Sequence, residues 1–410
     1  MRWLASAVAD TSLADLSYDG VAIARQAAFA AGQPTFVNTG THMASALRQC
    51  TITVFAILAF ACALAAQAHG PYRVVGYATG WNPQQAGALD HIDALVFAFA
   101  KVEGNGVVLP DDAPERLARL VALKRTKPAL QVAIAVGGWG AGGFSEAAAT
   151  AAGREAFSRS AAQLVKAYGA DGIDVDWEYP GRTDAGIAAS PVDRANFTAL
   201  LKSLRAALDA AASEGRHYTL SIAAAEGPFA EGIDIAAVEP YLDWFNLMTY
   251  DFVNSTTPTT GHHAGVYPSR LAPPGARSVD GAVREYLAAG VPPRKLLIGA
   301  AFYGREFGEV VPGHDGLYQR YGRYVTEHSW PQLKRDYLDR NGFVQRHDAQ
   351  AQASWSWNAK TRRFITYDDP ASIAAKAAYV KAHDLGGIMY WEQRHDPEGE
   401  LVEAVRNGLR

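Results

Sequence analysis

The stretch Asp171-Gly172-Ile173-Asp174-Val175-Asp176-Trp177-Glu178-Tyr179-Pro180-Gly181 decides how the rest of the chain is read, because four acids sit inside an otherwise apolar, β-favouring segment. Read as a strand, it sends successive side chains to opposite faces. Asp174, Asp176 and Glu178 then share one side, while Ile173, Val175 and Trp177 occupy the other. A file of carboxylates turned toward the middle of a barrel or sheet is costly unless chemistry uses it. Two blander readings are a solvated edge strand with an acidic outer face and a divalent-metal site built from the same oxygens. Carboxyls two residues apart on a strand lie about 6.6 Å from one another. At an effective dielectric of about 20, two such charges repel by about 2.5 kcal/mol, or roughly two pKa units. One or two protons are therefore retained in the row, which is the condition for an acid that can still donate at neutral pH. Glu178 lies at the C-terminal end of the strand, where a loop opens toward substrate.

Outward from this strand, the chain has 410 residues, is 49% hydrophobic and carries a formal net charge of -4, a balance that does not suggest a nucleic-acid binder. This length can bury one large core or two ordinary ones. Residues 43–68 read as a secretory signal: Arg48 precedes an uncharged apolar run from Thr51 to Ala66, and Ala66-Gln67-Ala68 matches a small-x-small cleavage site. The run is short for a membrane span of about 20 residues, so no stable membrane association is expected after cleavage. Residues 1–42 form an upstream segment without strong periodicity or motif, read as an over-extended start with Met43 as the true first residue. Both cysteines, Cys50 and Cys62, fall inside the export segment. A mature chain from His69 contains none and relies on its packed core rather than on disulfides.

From His69 onward, short β-branched or aromatic runs alternate with amphipathic helical stretches. The eight runs are Arg73 to Tyr77, Ala94 to Ala100, Gln131 to Val136, Gly172 to Trp177, Tyr218 to Ala223, Trp244 to Met248, Leu296 to Phe302 and Gly387 to Trp391. Their near-continuous hydrophobicity suits parallel strands covered on both faces. Phe157, Ala161, Leu164, Val165 and Tyr168 repeat at helical spacing, as do Phe197, Leu200, Leu201, Leu204 and Leu208, with Asp193 placed to cap the second helix. The pattern predicts an α/β fold, a (β/α)8 TIM barrel over residues 69–410 with its site at the C-terminal ends of the strands. The stretch between Phe302 and Ala371 is too long for a structureless loop. Residues 305–366 are read as a small inserted subdomain of mostly strand character between strand seven and helix seven, forming a wall of the cleft.

The run Asp171 to Gly181 resembles the DGxDxDxE signature of glycoside hydrolase family 18, the chitinase family, with the full acid spacing present. Leu247-Met248-Thr249-Tyr250-Asp251, Phe302-Tyr303-Gly304-Arg305 and Tyr390-Trp391-Glu392 resemble the family's motifs on strands six, seven and eight. The resemblance implies an enzyme acting on chitin or N-acetylglucosamine oligosaccharides, as a monomer, with no cofactor and no metal, its insertion similar to the family's small α+β subdomain; the signal segment predicts that it is secreted. It implies a retaining, substrate-assisted mechanism in which the acetamido carbonyl replaces a protein nucleophile. Glu178 is then acid and base, Asp176 holds the acetamido N–H, Tyr250 binds the acetamido oxygen and Asp174 shares a proton with Asp176. Trp391 is expected under the sugar ring, with Tyr77, Phe99, Trp139, Tyr179 and Tyr303 around it. Gly138, Met248, Asp251 and Arg305 complete the expected substrate contacts.

Two departures from the family pattern stand out. Ala135-Val136-Gly137-Gly138 lacks the usual serine hydroxyl, so Asp174 is expected to lean on Tyr77 alone, with a shifted pH optimum as the consequence. Val253-Asn254-Ser255-Thr256 follows Phe252 without the tryptophan often found there, which weakens plus-side stacking. An endo-β-N-acetylglucosaminidase acting on N-glycans uses the same acids, but the insertion weighs against it. A non-hydrolytic chitin-binding lectin usually lacks the terminal acid, which here is present as Glu178.

Overall fold

The computed structural model describes residues 72–81 and 83–410. The expected upstream segment 1–42 and signal segment 43–68 lie outside the described residues. Fourteen strands are described: β1 (Arg73–Ala78), β2 (Ala94–Glu103), β3 (Gly106–Val108), β4 (Gln131–Gly137), β5 (Gly172–Asp176), β6 (Thr219–Ala224), β7 (Trp244–Leu247), β8 (Leu296–Ala301), β9 (Tyr303–Gly308), β10 (Arg323–Ser329), β11 (Val344–Asp348), β12 (Ala353–Asn358), β13 (Arg363–Tyr367) and β14 (Gly387–Trp391). Strands β1, β2, β4, β5, β6, β7, β8 and β14 pair in parallel, in that order, and β14 pairs back onto β1, which closes the barrel. The eight expected runs are these eight strands. The hairpin of β2 with β3 was not anticipated, although the two-residue link Gly104-Asn105 between runs carrying Val102 and Val107-Val108 is a hairpin signal.

Alternation along β5 divides the molecule into two cores. Ile173, Val175 and Trp177 join the large apolar layer between the barrel and its helices, which includes the helices Ala151–Tyr168 and Asp193–Ala211. The barrel interior is filled by small and aromatic residues such as Val75, Ala133, Ala135, Ala223, Trp244 and Met389. Small inward side chains on β4 and β6 leave room for the larger polar ones contributed by β5 and β7. Gly137, at φ 123°, marks a close approach at the site: a Cβ there would lie 2.0 Å from the Asp176 carbonyl oxygen. Only glycine lets the end of β4 pass so close to the acid-bearing strand.

Asp193 departs from its expected part as a helix cap. Val192 occupies the cap position, and the buried Asp193 carboxylate instead accepts from Ser190 N (2.7 Å), Gly181 N (3.2 Å) and Ser145 Oγ (2.7 Å). It thereby ties down the loop that leaves β5. The helix Pro370–Ala382, by contrast, begins in a capping box made by Asp369 and Ser372.

The insertion is a five-stranded antiparallel sheet in the order β10-β9-β13-β12-β11, with the helix Trp330–Asp336 beside it, so it reaches slightly beyond the expected 305–366 at both ends. Cross-strand pairing lines up Tyr324, Phe307, Phe364, Trp357 and Val344 in one row, and an apolar cluster forms around Phe307, Trp355, Trp357 and Phe364. Because β9 follows β8 with only Phe302 between them, the insertion's first strand carries Tyr303 and Arg305 directly into the barrel mouth. Among the described residues, no helix is long and apolar enough to cross a membrane.

Candidate active site

The acid row faces inward. Asp174 is fully buried in the barrel, Asp176 is almost as buried one step higher, and Glu178 stands just past the end of β5. A cavity of about 690 Å³ opens above them at the C-terminal ends of the strands. Asp176, Glu178, Tyr250, Tyr77, Phe99, Trp139, Tyr179, Met248, Asp251, Tyr303, Arg305 and Trp391 all line it, so twelve of the fourteen residues expected from the sequence converge there. The other two lie behind its wall. Asp174 is beneath the cavity, and Gly138 serves through its backbone, donating N–H to the Asp176 carbonyl at 2.9 Å. A side chain on Gly138 would meet the Phe99 ring at 3.0 Å.

The expectation that Asp174 depends on Tyr77 alone is overturned. Tyr77 OH donates to Asp174 Oδ2 at 2.8 Å, Ser221 Oγ to Oδ1 at 2.6 Å, and Asn246 Nδ2 to Oδ1 at 3.0 Å. The hydroxyl that is missing from β4 at Ala135 is supplied from the opposite neighbour, β6. With three donors in place, the argument for a displaced pH optimum loses its physical basis. Ser221→Ala should leave a buried carboxylate short of one donor and cost about 1–3 kcal/mol of stability, measurable by urea unfolding at neutral pH. An unchanged midpoint would show that Ser221 is not what replaces the lost hydroxyl.

The three acids are held at unequal proton affinities. Burial raises Asp174 above the ordinary carboxylate range, with its three donors pulling the other way. Burial raises Asp176 furthest, reinforced by the neighbouring Glu178 and Asp174 charges. Glu178 is pushed up to about 7, chiefly by burial, with Tyr179 opposing and the Asp251 charge assisting. Protons in such a set belong to the group rather than to single residues. Asp176 Oδ1 is buried without any hydrogen-bond partner. A buried oxygen left bare beside a cavity is a ready acceptor for a donor that arrives with the ligand.

Opposite this row, Asp251 sits at φ 57° and accepts from Arg305 Nε and Nη2, both at 2.5 Å, and from Tyr303 OH at 2.8 Å. Burial works against its charge, yet the neighbouring His263 ring and this bidentate Arg305 pairing together hold the carboxyl well below the usual range. Trp391 lies 5.7 Å from the Phe99 ring, nearly parallel, and 6.1 Å from Tyr77, so these three form one aromatic base. Trp139 does not join them. It is 63% exposed at the outer rim, edge-on to Tyr179 at 6.2 Å. The peptide bonds Ala98–Phe99, Glu178–Tyr179 and Trp391–Glu392 are cis, and all three stand at the barrel mouth.

Several lining residues were not anticipated. Phe229 packs against Tyr179 at 5.0 Å, giving an aromatic surface on the side where Asn254, Ser255 and Thr256 make the wall polar. Arg277 donates to Glu226 at 2.6 Å and to the carbonyls of Asp251 and Phe252 at 2.9 and 2.8 Å, which props up the loop carrying Asp251. Ser221 and Asn246 were legible only as inward positions on their strands. Glu226 and Arg277 are fifty-one residues apart and carry no local signal.

Comparison with known proteins places these features among relatives. The model of glycosyl hydrolases family 18 matches residues 73–396. Chitinase A1 of Niallia circulans is 37% identical over 309 residues, covering 71% of this chain and 44% of that protein. Chitinase 1 of Aphanocladium album is 34% identical over 301 residues, covering 71% of this chain and 68% of its own length. The chain thus spans less than half the length of the first of these relatives. Among solved structures, a family 18 N-acetylglucosaminidase from Paenibacillus barengoltzii superposes with a TM-score of 0.78 at 41% identity, covering 82% of this chain and 99% of that one.

Proposed function

The chain belongs to glycosyl hydrolases family 18 and is a glycosidase of the chitinase family, and from this premise we propose that it cleaves β-1,4 bonds between N-acetylglucosamine units with the sugar's own acetamido group as nucleophile. The observation that carries this reading is the bare, buried Asp176 Oδ1 next to a Glu178 that is still protonated near neutral pH. Glu178 gives its proton to the glycosidic oxygen as the C1–O bond breaks. The acetamido carbonyl oxygen closes on C1 from the opposite face and forms an oxazolinium ring, whose N–H donates to Asp176 Oδ1. Tyr250, kept protonated by burial, points its hydroxyl at the acetamido oxygen. Glu178, now ionised, takes a proton from water, and the resulting C1–O bond opens the ring with net retention.

Two displacements at one carbon leave the anomeric configuration unchanged, so product analysis on N-acetylglucosamine oligosaccharides of defined length tests the reading. The β-anomer in fresh product supports it, and the α-anomer contradicts it. Product size separates disaccharide release from the single-sugar release implied by the name of the Paenibacillus relative. Sugar release from a glycoprotein instead of these oligomers favours the N-glycan reading, and binding without cleavage favours a lectin; Glu178 weighs against the latter. The segment Met43 to Ala68 supports export, and enclosure of the whole acid row by one barrel supports action as a monomer.

The pH dependence follows from Glu178. Its affinity is raised, so the proton needed for leaving-group assistance is present below about 7 and lost above it. A plot of kcat/KM against pH is therefore expected to fall on its alkaline side with a midpoint near 7. Undiminished activity at pH 9 would remove Glu178 from the acid role.

A further inference from the structure

His263 is buried completely, and neither of its ring nitrogens has a hydrogen-bond partner. An apolar side chain could fill the same space without leaving buried polar atoms unpaired, so the imidazole needs another reason to be there. Its backbone is locked on both sides: His263 N donates to Thr366 Oγ1 at 3.2 Å, and Phe252 N donates to the His263 carbonyl at 3.0 Å. The ring stands edge-on to Tyr303 at 5.5 Å, and Nδ1 is 3.6 Å from Asp251 Oδ1. That separation exceeds the upper end of the usual N–H···O range by about 0.4 Å.

On the reading that this cleft hydrolyses N-acetylglucosamine oligomers, we propose that His263 is a positioning residue for Asp251, its Nδ1–H held in reserve to fix that carboxylate, still charged, when a sugar occupies the cleft. In the free chain, Asp251 Oδ1 is taken by Arg305 Nε and Tyr303 OH. A sugar hydroxyl competing for either donor loosens this grip. A small movement of the carboxylate then brings Oδ1 onto Nδ1–H, which pairs an orphaned donor and restores the lost bond in one step. Because Asp251 sits within electrostatic reach of Glu178, holding it charged keeps the Glu178 proton in place.

The charged and titratable groups facing this pair are Arg305 and Tyr303 on β9, Tyr250 and Glu178 across the cleft, His262 beside it in the chain and Asp368 beyond β13. Burial keeps His263 from charging, against the pull of Asp251 and Asp368. It therefore acts as a neutral donor and adds no positive charge of its own.

The test compares His263→Asn, whose amide N–H stands where Nδ1–H was, with His263→Gln and His263→Leu, which offer no donor at that point. The readout is kcat, KM and the pH profile on a soluble N-acetylglucosamine oligosaccharide. The asparagine variant is expected to keep kcat within about twofold and the same alkaline limb, while the other two lose kcat roughly tenfold and shift that limb to lower pH. The direction follows because a weakened Asp251 charge repels the Glu178 anion less. Three variants that all match the original chain, or an asparagine variant as impaired as the glutamine one, overturn the inference. If the leucine variant does not fold, the asparagine and glutamine contrast decides. An original chain that releases no sugar defeats the hydrolase reading itself, whereas an active chain indifferent to residue 263 defeats only the positioning of Asp251.

Discussion

Glu178→Gln is expected to lower kcat by about 10²- to 10⁴-fold while KM for N-acetylglucosamine oligosaccharides stays close to its starting value. Glutamine keeps the shape of the side chain and its place at the end of β5, but has no acidic proton to give. The loss therefore falls on the transition state and spares ground-state binding. A substrate with a nitrophenolate leaving group needs little protonation and should recover much of the first step. The same substitution carries a stability signature. Burial sets the folded Glu178 pKa at about 7 against an ordinary 4.5. The stability contributed by this raised group is fully present below 4.5 and lost as pH rises through about 7. The melting temperature of the original chain should drop between pH 5 and pH 8 by more than that of the glutamine variant. Equal drops would mean that Glu178 is not titrating in that window.

Asp176→Asn is expected to reduce kcat by about 10²- to 10³-fold, and this loss should persist with nitrophenyl leaving groups. An amide oxygen still accepts the acetamido N–H, but it has no proton to pass down to Asp174 and so develops no negative charge beside the oxazolinium ring. The defect lies in forming and holding the cation, which an easier leaving group does not remedy. Recovery of the asparagine variant on activated substrates would assign Asp176 to proton delivery instead. The two variants thus differ in which substrate rescues them, even where their losses on natural oligomers are alike.

The part of this molecule that could be read from its sequence is the part governed by short-range periodicity. Asp174, Asp176 and Glu178 stood out because alternation on one strand sets their common face, and the apolar partners Ile173, Val175 and Trp177 do lie in the outer core. The aromatic strand ends followed from the family resemblance rather than from alternation, and Tyr77, Phe99, Tyr303 and Trp391 do reach one cavity. What escaped was set by neighbouring strands. Ser221 and Asn246 lie 47 and 72 residues from Asp174 in sequence, and only barrel register brings them to its oxygen. The absence of a hydroxyl at Ala135 was real, but its consequence could not be drawn without knowing what β6 supplies. Asp193 was misjudged for a related reason: an acid at the start of a helix looks like a cap, yet the loop from Gly181 to Ser190 folds back and claims Oδ2, while Ser145 claims Oδ1. Trp139 lines the same cavity from its exposed rim, edge-on to Tyr179 rather than stacked with Trp391, a placement set by the turn after Gly138 that the sequence did not specify.

The claim at the centre is that the substrate's acetamido group performs the displacement while Asp176 receives its N–H and Glu178 supplies the proton. The most direct measurement is the hydrolysis rate of two matched oligosaccharides that differ only in the acetyl group on the sugar whose anomeric carbon is attacked. The acetylated member should be cleaved and its free-amine partner left intact at that bond; comparable cleavage of both would contradict the mechanism.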